Sequence, residues 1–218
     1  MTLIEAVVVI FVIGFLVMVL LPAITSRRHI SRISCSNNVK QVLLAYKIWA
    51  GDNHDKFPME VSITNGGAME LMNTADAWKT FQVMSNELST PKVIYCPEDS
   101  LRASAATNWG DDLKNKISYF IGCDATDTNS FAILSGDSNF LLNNSAVKPS
   151  QISVTTNDSL AWDTTRHVSV VKTSWFTERK TGYGNLGLAD GSVMGMTSSQ
   201  LAHQIQQTGL ATNRLVIP

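Results

Sequence analysis

Several short stretches hold residue types at spacings that could do chemistry. Ser145-Ala-Val-Lys148 and Ser169-Val-Val-Lys172 each set a lysine three positions after a serine, an arrangement in which an amine activates a hydroxyl for acyl transfer, and Lys180-Thr181-Gly182 is a box that accompanies such serines. The set is incomplete. No Ser-Asp-Asn element lies between them, and Lys172 is only eight residues from Lys180, too few for an intervening helical domain. No Gly-x-Ser-x-Gly elbow, P-loop, His-Glu-x-x-His or dinucleotide fingerprint occurs, and the four histidines are isolated. The expectation is a protein that is not an enzyme.

Two loops gather oxygen ligands. Asp124-Ala-Thr-Asp127-Thr-Asn129 presents Asp124, Asp127 and Asn129, donors that suit calcium, although the same residue types make ordinary turns, and turn chemistry outweighs the metal reading. Asp52-Asn53-His54-Asp55, ahead of Phe57-Pro58, lacks EF-hand spacing and reads as a solvated exit loop. No cofactor is expected, calcium being the one candidate. Cys35, Cys96 and Cys123 allow at most one internal disulfide, no pair has zinc-like spacing, and all three pairings are open.

The most demanding residue is Glu5. It is the single ionisable side chain between Met1 and Ile24, where an acid inside an apolar phase costs roughly 2.5–3.5 kcal/mol. One reading seats it at a bilayer interface near the chain start. The other gives it the α-amino group of Met1 in a neighbouring, axially offset copy, so that each pair sets the register of a stack of identical helices. Gly14 and Pro22 mark a weak stretch of that helix, because proline removes a hydrogen bond and glycine loosens the turn before it. Both are also tolerated as a plain membrane-helix kink.

These residues sit on a segment unlike the rest of the chain. At about 1.5 Å per residue, the apolar run spans roughly 36 Å, enough for a bilayer core of about 30 Å. It has neither the basic start nor the small-residue cleavage site of a secretory signal. Arg27, Arg28 and Arg32 follow it, and orientation stays open because the positive-inside rule weighs both flanks. The net charge of −1 gives no basic field to attract nucleic acid, which is not expected as a partner.

The helix continues from Ser31 to Ala50, with Cys35, Val39, Val42, Leu43, Tyr46 and Trp49 or Ala50 at three- and four-residue steps, and Gly51 is expected to end it. A second helix is predicted over about Ala75 to Leu88, with Trp78, Phe81, Met84 and Leu88 on its core face. Strands are predicted at Val93–Tyr95, Ser118–Ile121, Phe131–Leu134, Leu160–Trp162 and Val168–Lys172. Asp190-Gly191 predicts a two-residue hairpin between Leu186–Ala189 and Ser192–Met196. Ser198 or Ser199 is expected to cap a last helix carrying Leu201, Ala202 and Ile205, closed by Gly209, before an apolar tail Leu215–Pro218. The expected class is α+β: a long N-terminal helix, apolar in its first half, whose second half packs on a head with a small antiparallel sheet. The expected units are residues 1–27, the apolar helix, and 28–218, the rest of the helix with the head.

Met-Thr-Leu-Ile-Glu-Ala, followed by an unbroken apolar run to Leu-Pro-Ala, resembles the mature start of type IV pilins and type II secretion pseudopilins. The resemblance implies that a leader peptidase cuts before Met1, that Met1 is N-methylated, and that Glu5 guides docking. It implies local unwinding between Gly14 and Pro22 in the assembled filament. Met1 departs from the usual phenylalanine. The expected function is a structural subunit of an extracellular pilus-like filament, with the short secretion pseudopilus or a membrane-anchored ligand-binding monomer as alternatives. Its partners would be copies of itself, the pilus assembly machinery, and the inner membrane as the store of unassembled subunits.

The head motifs Cys35-Ser-Asn-Asn-Val-Lys-Gln, Asp52-Asn53 to Phe57-Pro58, Cys96-Pro97-Glu98-Asp99, Ser135-Gly136-Asp137 and Gly184-Asn185 to Asp190-Gly191 resemble a large bacterial group of pseudopilin-like proteins. Lys180 stands where that group often has histidine. The resemblance implies a Cys35–Cys96 disulfide with Cys123 free, and, because major secretion pseudopilins carry calcium in the head, it lends the Asp124 loop its interest.

Overall fold

The three- and four-residue stripe from Cys35 to Ala50 lies on the buried side of a helix in the computed structural model, and none of its members is more than 6% exposed. The structure describes the chain except residues 1–2, 26, 165–167 and 175–176; side chains at 19–31, 111–112 and 165–181 also lie outside the described set. Helix α1 covers Leu3–Thr25 and α2 covers Arg27–Asp52. Gly51 does not end α2. The backbone leaves the helix one residue later and turns at His54 (φ 60°) and Asp55 (φ 58°), while the Ala50 carbonyl accepts the amides of Asn53 and Asp55, both at 2.9 Å.

The predicted helix at 75–88 is broken into a 3₁₀ turn Ala77–Lys79 and two single turns, α3 (Thr80–Val83) and α4 (Ser85–Leu88). Met84, at φ −92° and ψ 22°, leaves the helical region between them. Trp78, Phe81, Met84 and Leu88 are nonetheless buried: burial, and not helix continuity, is what their spacing encoded. Val93–Tyr95 is not a strand either. Pro91, with φ preset and no N–H to leave unsatisfied, starts a 3₁₀ helix Pro91–Ile94, and the Thr90 hydroxyl accepts the Lys92 amide.

The strands are β1 (Tyr119–Gly122), β2 (Ile133–Asp137), β3 (Phe140–Leu142), β4 (Ser145–Ala146), β5 (Ser150–Thr155), β6 (Leu160–Trp162), β7 (Val168–Ser174), β8 (Thr177–Leu188), β9 (Val193–Thr197) and β10 (Thr212–Ile217), with helix α5 (Ser198–Gln207) between the last two. The sheet is larger than expected. Seven strands run β5-β10-β1-β2-β8-β7 with β9 paired to β8, and a second sheet is ordered β4-β3-β6; every described pairing is antiparallel. The apolar tail is therefore a strand, β10, in the interior of the large sheet. The strand expected from Phe131 begins two residues later, leaving Phe131 exposed and sending Ile133 and Leu134 to opposite faces.

Alternation along the strands makes three layers. Tyr119, Ile121, Leu134 and Val216 join the α2 stripe in one core, while Phe120, Ile133, Leu186, Leu188, Leu215 and Ile217 join Leu201 and Ile205 of α5, with Phe140 and Trp162 of the small sheet, in the other. Gly187 lets α2 close on the sheet, since a Cβ there would lie 2.7 Å from a Leu43 methyl carbon. The Asp190-Gly191 hairpin is present with a different turn. The Gly191 amide reaches the Leu188 carbonyl, the Leu188 amide reaches the Ser192 carbonyl, and Gly191 alone takes a positive φ, 90°. That is a three-residue loop in place of the two-residue one. Helix α5 is capped by Thr197, whose amide is accepted by the Gln200 side chain at 2.9 Å, not by Ser198 or Ser199; its Ala202 is exposed, and Gly209 follows at φ 69°.

Candidate functional site

A helix built from residues 3–18 with a single charge can present no polar face. In α1 every described side chain from Leu3 to Met18 is exposed except the half-buried Ala6, with Leu3 at 82%, Phe11 at 76% and Met18 at 75%. Among the described residues nothing covers this surface, far more apolar area than a soluble monomer normally leaves bare. Glu5 is exposed in the first turn, where the unpaired amides and positive end of the helix dipole favour a carboxylate. Gly14 lies within unbroken helix, and a Cβ there would meet nothing within 4 Å. Met1 and the Pro22 side chain lie outside the described residues, as do the side chains of Lys172 and Lys180. Among the described residues no helix is long and apolar enough to cross a membrane; the stretch inferred to do so runs past residue 18, where description of its side chains stops.

Helix α2 carries two faces. The stripe of Cys35, Val39, Val42, Leu43, Tyr46, Trp49 and Ala50 points into the head, whereas Ile33, Leu44 and Ile48 stand on the opposite side, half exposed. These three were missed in the sequence. The signal was a spacing of eleven and then four residues, three turns and one turn of helix, in a different phase from the stronger stripe.

The structure joins Cys35 to Cys96 and leaves Cys123 free and buried. Burial pushes the Cys123 thiol up from its ordinary 9.0 to about 11, with Asp124 adding to the shift and Arg214 opposing it. Burial, and then the Cys123 charge, raises the Tyr46 phenol in the same direction. Both groups bind protons more tightly folded than unfolded, so the Cys123 contribution to stability is full below about pH 9 and declines as pH rises toward about 11, while that of Tyr46 declines only above about pH 10. Urea midpoints measured across that window fall, and they fall less steeply in Cys123→Ala.

The oxygen ligands of the Asp124 loop do not converge on a cation. Asp124 accepts the Arg214 backbone amide at 2.7 Å and its guanidinium Nε at 2.8 Å; Asp127 pairs with Lys47; Asn129 donates to the Thr208 carbonyl at 3.1 Å and accepts the Phe131 amide at 3.2 Å. Three different parts of the fold occupy them. Among the described residues no group of three or more His, Cys, Asp or Glu could hold a metal ion. Ser145, on the small-sheet edge strand β4, and Lys148, two residues beyond its end, are both exposed.

The head motifs instead form internal clasps. Asp137, fully buried, accepts the backbone amide of Asn185 at 2.7 Å and its Nδ2 at 2.8 Å. The Ser135 hydroxyl donates to the Phe120 carbonyl at 2.7 Å. The Tyr183 ring lies across Gly195, where a Cβ would come within 1.7 Å of the phenol oxygen, and the Arg32 guanidinium of α2 sits 5.8 Å from that ring's centre. Arg102 donates to the Pro218 carbonyl at 2.7 Å. No family model, curated protein or solved structure matches the chain.

Proposed function

We propose that the chain is the structural subunit of an extracellular type IV pilus-like filament, with α1 as the polymerising element. The observation that carries this reading is the bare apolar surface of residues 3–18 ahead of a folded head. Such a helix needs either lipid or other apolar helices around it. The inner membrane holds it before assembly and neighbouring copies surround it afterwards. Glu5 then meets the Met1 amine of a neighbour, a pair whose burial is tolerable only when both charges are present. The buried Cys35–Cys96 disulfide supports an oxidising, extracytoplasmic site for the head.

The test is Glu5→Leu in cells that assemble the filament. The variant keeps the apolar length, so the membrane-fraction yield stays at the wild-type level while surface filaments fall below detection by electron microscopy. Wild-type filament abundance would refute the docking role. Filament length distinguishes a long surface pilus from a short secretion pseudopilus.

A further inference from the structure

On the outward face of α2, Lys40, Leu44, Ile48 and Gly51 follow one another at steps of four, four and three, and all four are exposed. On α1, Glu5, Val9, Ile13 and Leu16 follow at the same steps and are likewise exposed. Equal steps of three and four keep each set on one side of its helix. We infer that this face of α2 is the seat of α1 from a second copy of the chain, the two helices running parallel, with Glu5 beside Lys40, Val9 beside Leu44, Ile13 beside Ile48 and Leu16 over Gly51. The inference rests on the filament reading and adds to it a partner surface and a register.

Gly51 is the independent observation. It is helical, its φ is not positive, and a Cβ would meet nothing within 4 Å, so among the described residues nothing calls for glycine there. Glycine weakens a helix relative to alanine, and its use there is explained by the close approach of a second helix. Leu16 is the side chain that the register places on it. Lys40 is a basic group between the exposed Ile33 and Leu44, and Glu5 is the one acid on α1, so this register sets opposite charges side by side. The carboxylate has two oxygens, so the ammonium of Lys40 and the amine of Met1 can both be accommodated. An antiparallel arrangement with Glu5 at Lys40 would run α1 toward Ile33 and leave Leu44 and Ile48 bare. The parallel register displaces the two copies by about 52 Å along the helix axes at ~1.5 Å per residue.

Two measurements on full-length subunits in assembled filaments test this. In Val9→Cys with Leu44→Cys, oxidation gives a ladder of covalent multimers on non-reducing gels. Each single variant gives dimers at most, and Val9→Cys with Asn37→Cys, two turns out of register, gives no ladder. Gly51→Leu accumulates as a folded subunit with wild-type protease resistance, and its filament yield falls at least tenfold; Lys40→Glu does the same. Filaments that cross-link 9 to 37 and not 9 to 44, or wild-type filament yield from Gly51→Leu, overturn the register while leaving the filament reading standing. Wild-type filaments from Glu5→Leu overturn the reading beneath it.

Discussion

Removing the Cys35–Cys96 bond by Cys35→Ala with Cys96→Ala lowers the stability of the folded head by about 4 kcal/mol. The bond closes a loop with a sequence separation of 61, and cross-linking ends that far apart removes chain entropy of that order from the unfolded state. Both sulfurs are fully buried, Cys35 in the α2 stripe and Cys96 beyond the 3₁₀ helix Pro91–Ile94, so the bond also fastens the helix to the loop layer beneath it. The measurement is denaturant unfolding with and without reductant. Reductant lowers the wild-type midpoint after the head has been unfolded and refolded, and leaves the double variant unchanged. A midpoint in the double variant equal to that of oxidised wild type would show that the bond adds nothing.

Asp137→Ala costs about 3 kcal/mol, the range for stripping the acceptor from two buried N–H donors. Its carboxylate takes both the main-chain and side-chain N–H of Asn185, locking β2 to β8 where the backbones run close: a Cβ on the adjacent Gly136 would lie 2.4 Å from the Asn185 carbonyl oxygen. For a domain of this size the loss lowers the melting temperature by about 6–12 °C, read by circular dichroism. Asp137→Asn, which keeps one acceptor oxygen, falls between Ala and wild type. An alanine variant melting within 2 °C of wild type, at about the resolution of the method, would overturn the clasp.

The legible parts of the sequence were those in which one physical cause dominates. The α2 stripe from Cys35 to Ala50 was readable because burial against a sheet imposes a helical period, and α1 because sixteen or so apolar positions with one acid admit few interpretations. Trp78, Phe81, Met84 and Leu88 were read correctly as core and wrongly as one helix, since period reports which side is buried and not whether the hydrogen bonds are continuous. Val93–Tyr95 looked like a strand by content, but Pro91 and Thr90 chose a 3₁₀ turn over 91–94 locally. β10 was missed because a terminal Leu-Val-Ile carries no turn signal on its far side; its strand character comes from β1 and β5, distant in sequence. The Asp124 loop shows the same limit at a site. Asp124, Asp127 and Asn129 look like a ligand set until Arg214, Lys47 and Thr208, each about 80 or 90 residues away, are brought beside them.

The place of β10 sets an order on biogenesis. It is hydrogen-bonded to β5 along six residue pairs and to β1 on its other side, and Leu215 and Ile217 fill one core while Val216 fills the other. A nascent chain that has not yet released residues 212–217 from the ribosome carries two unpaired strand edges and two unfilled cores. Such edges recruit other chains. Closure of the head therefore waits until residues 212–217 are free to pair, and a chain truncated before Thr212 would keep both strand edges and both cores open.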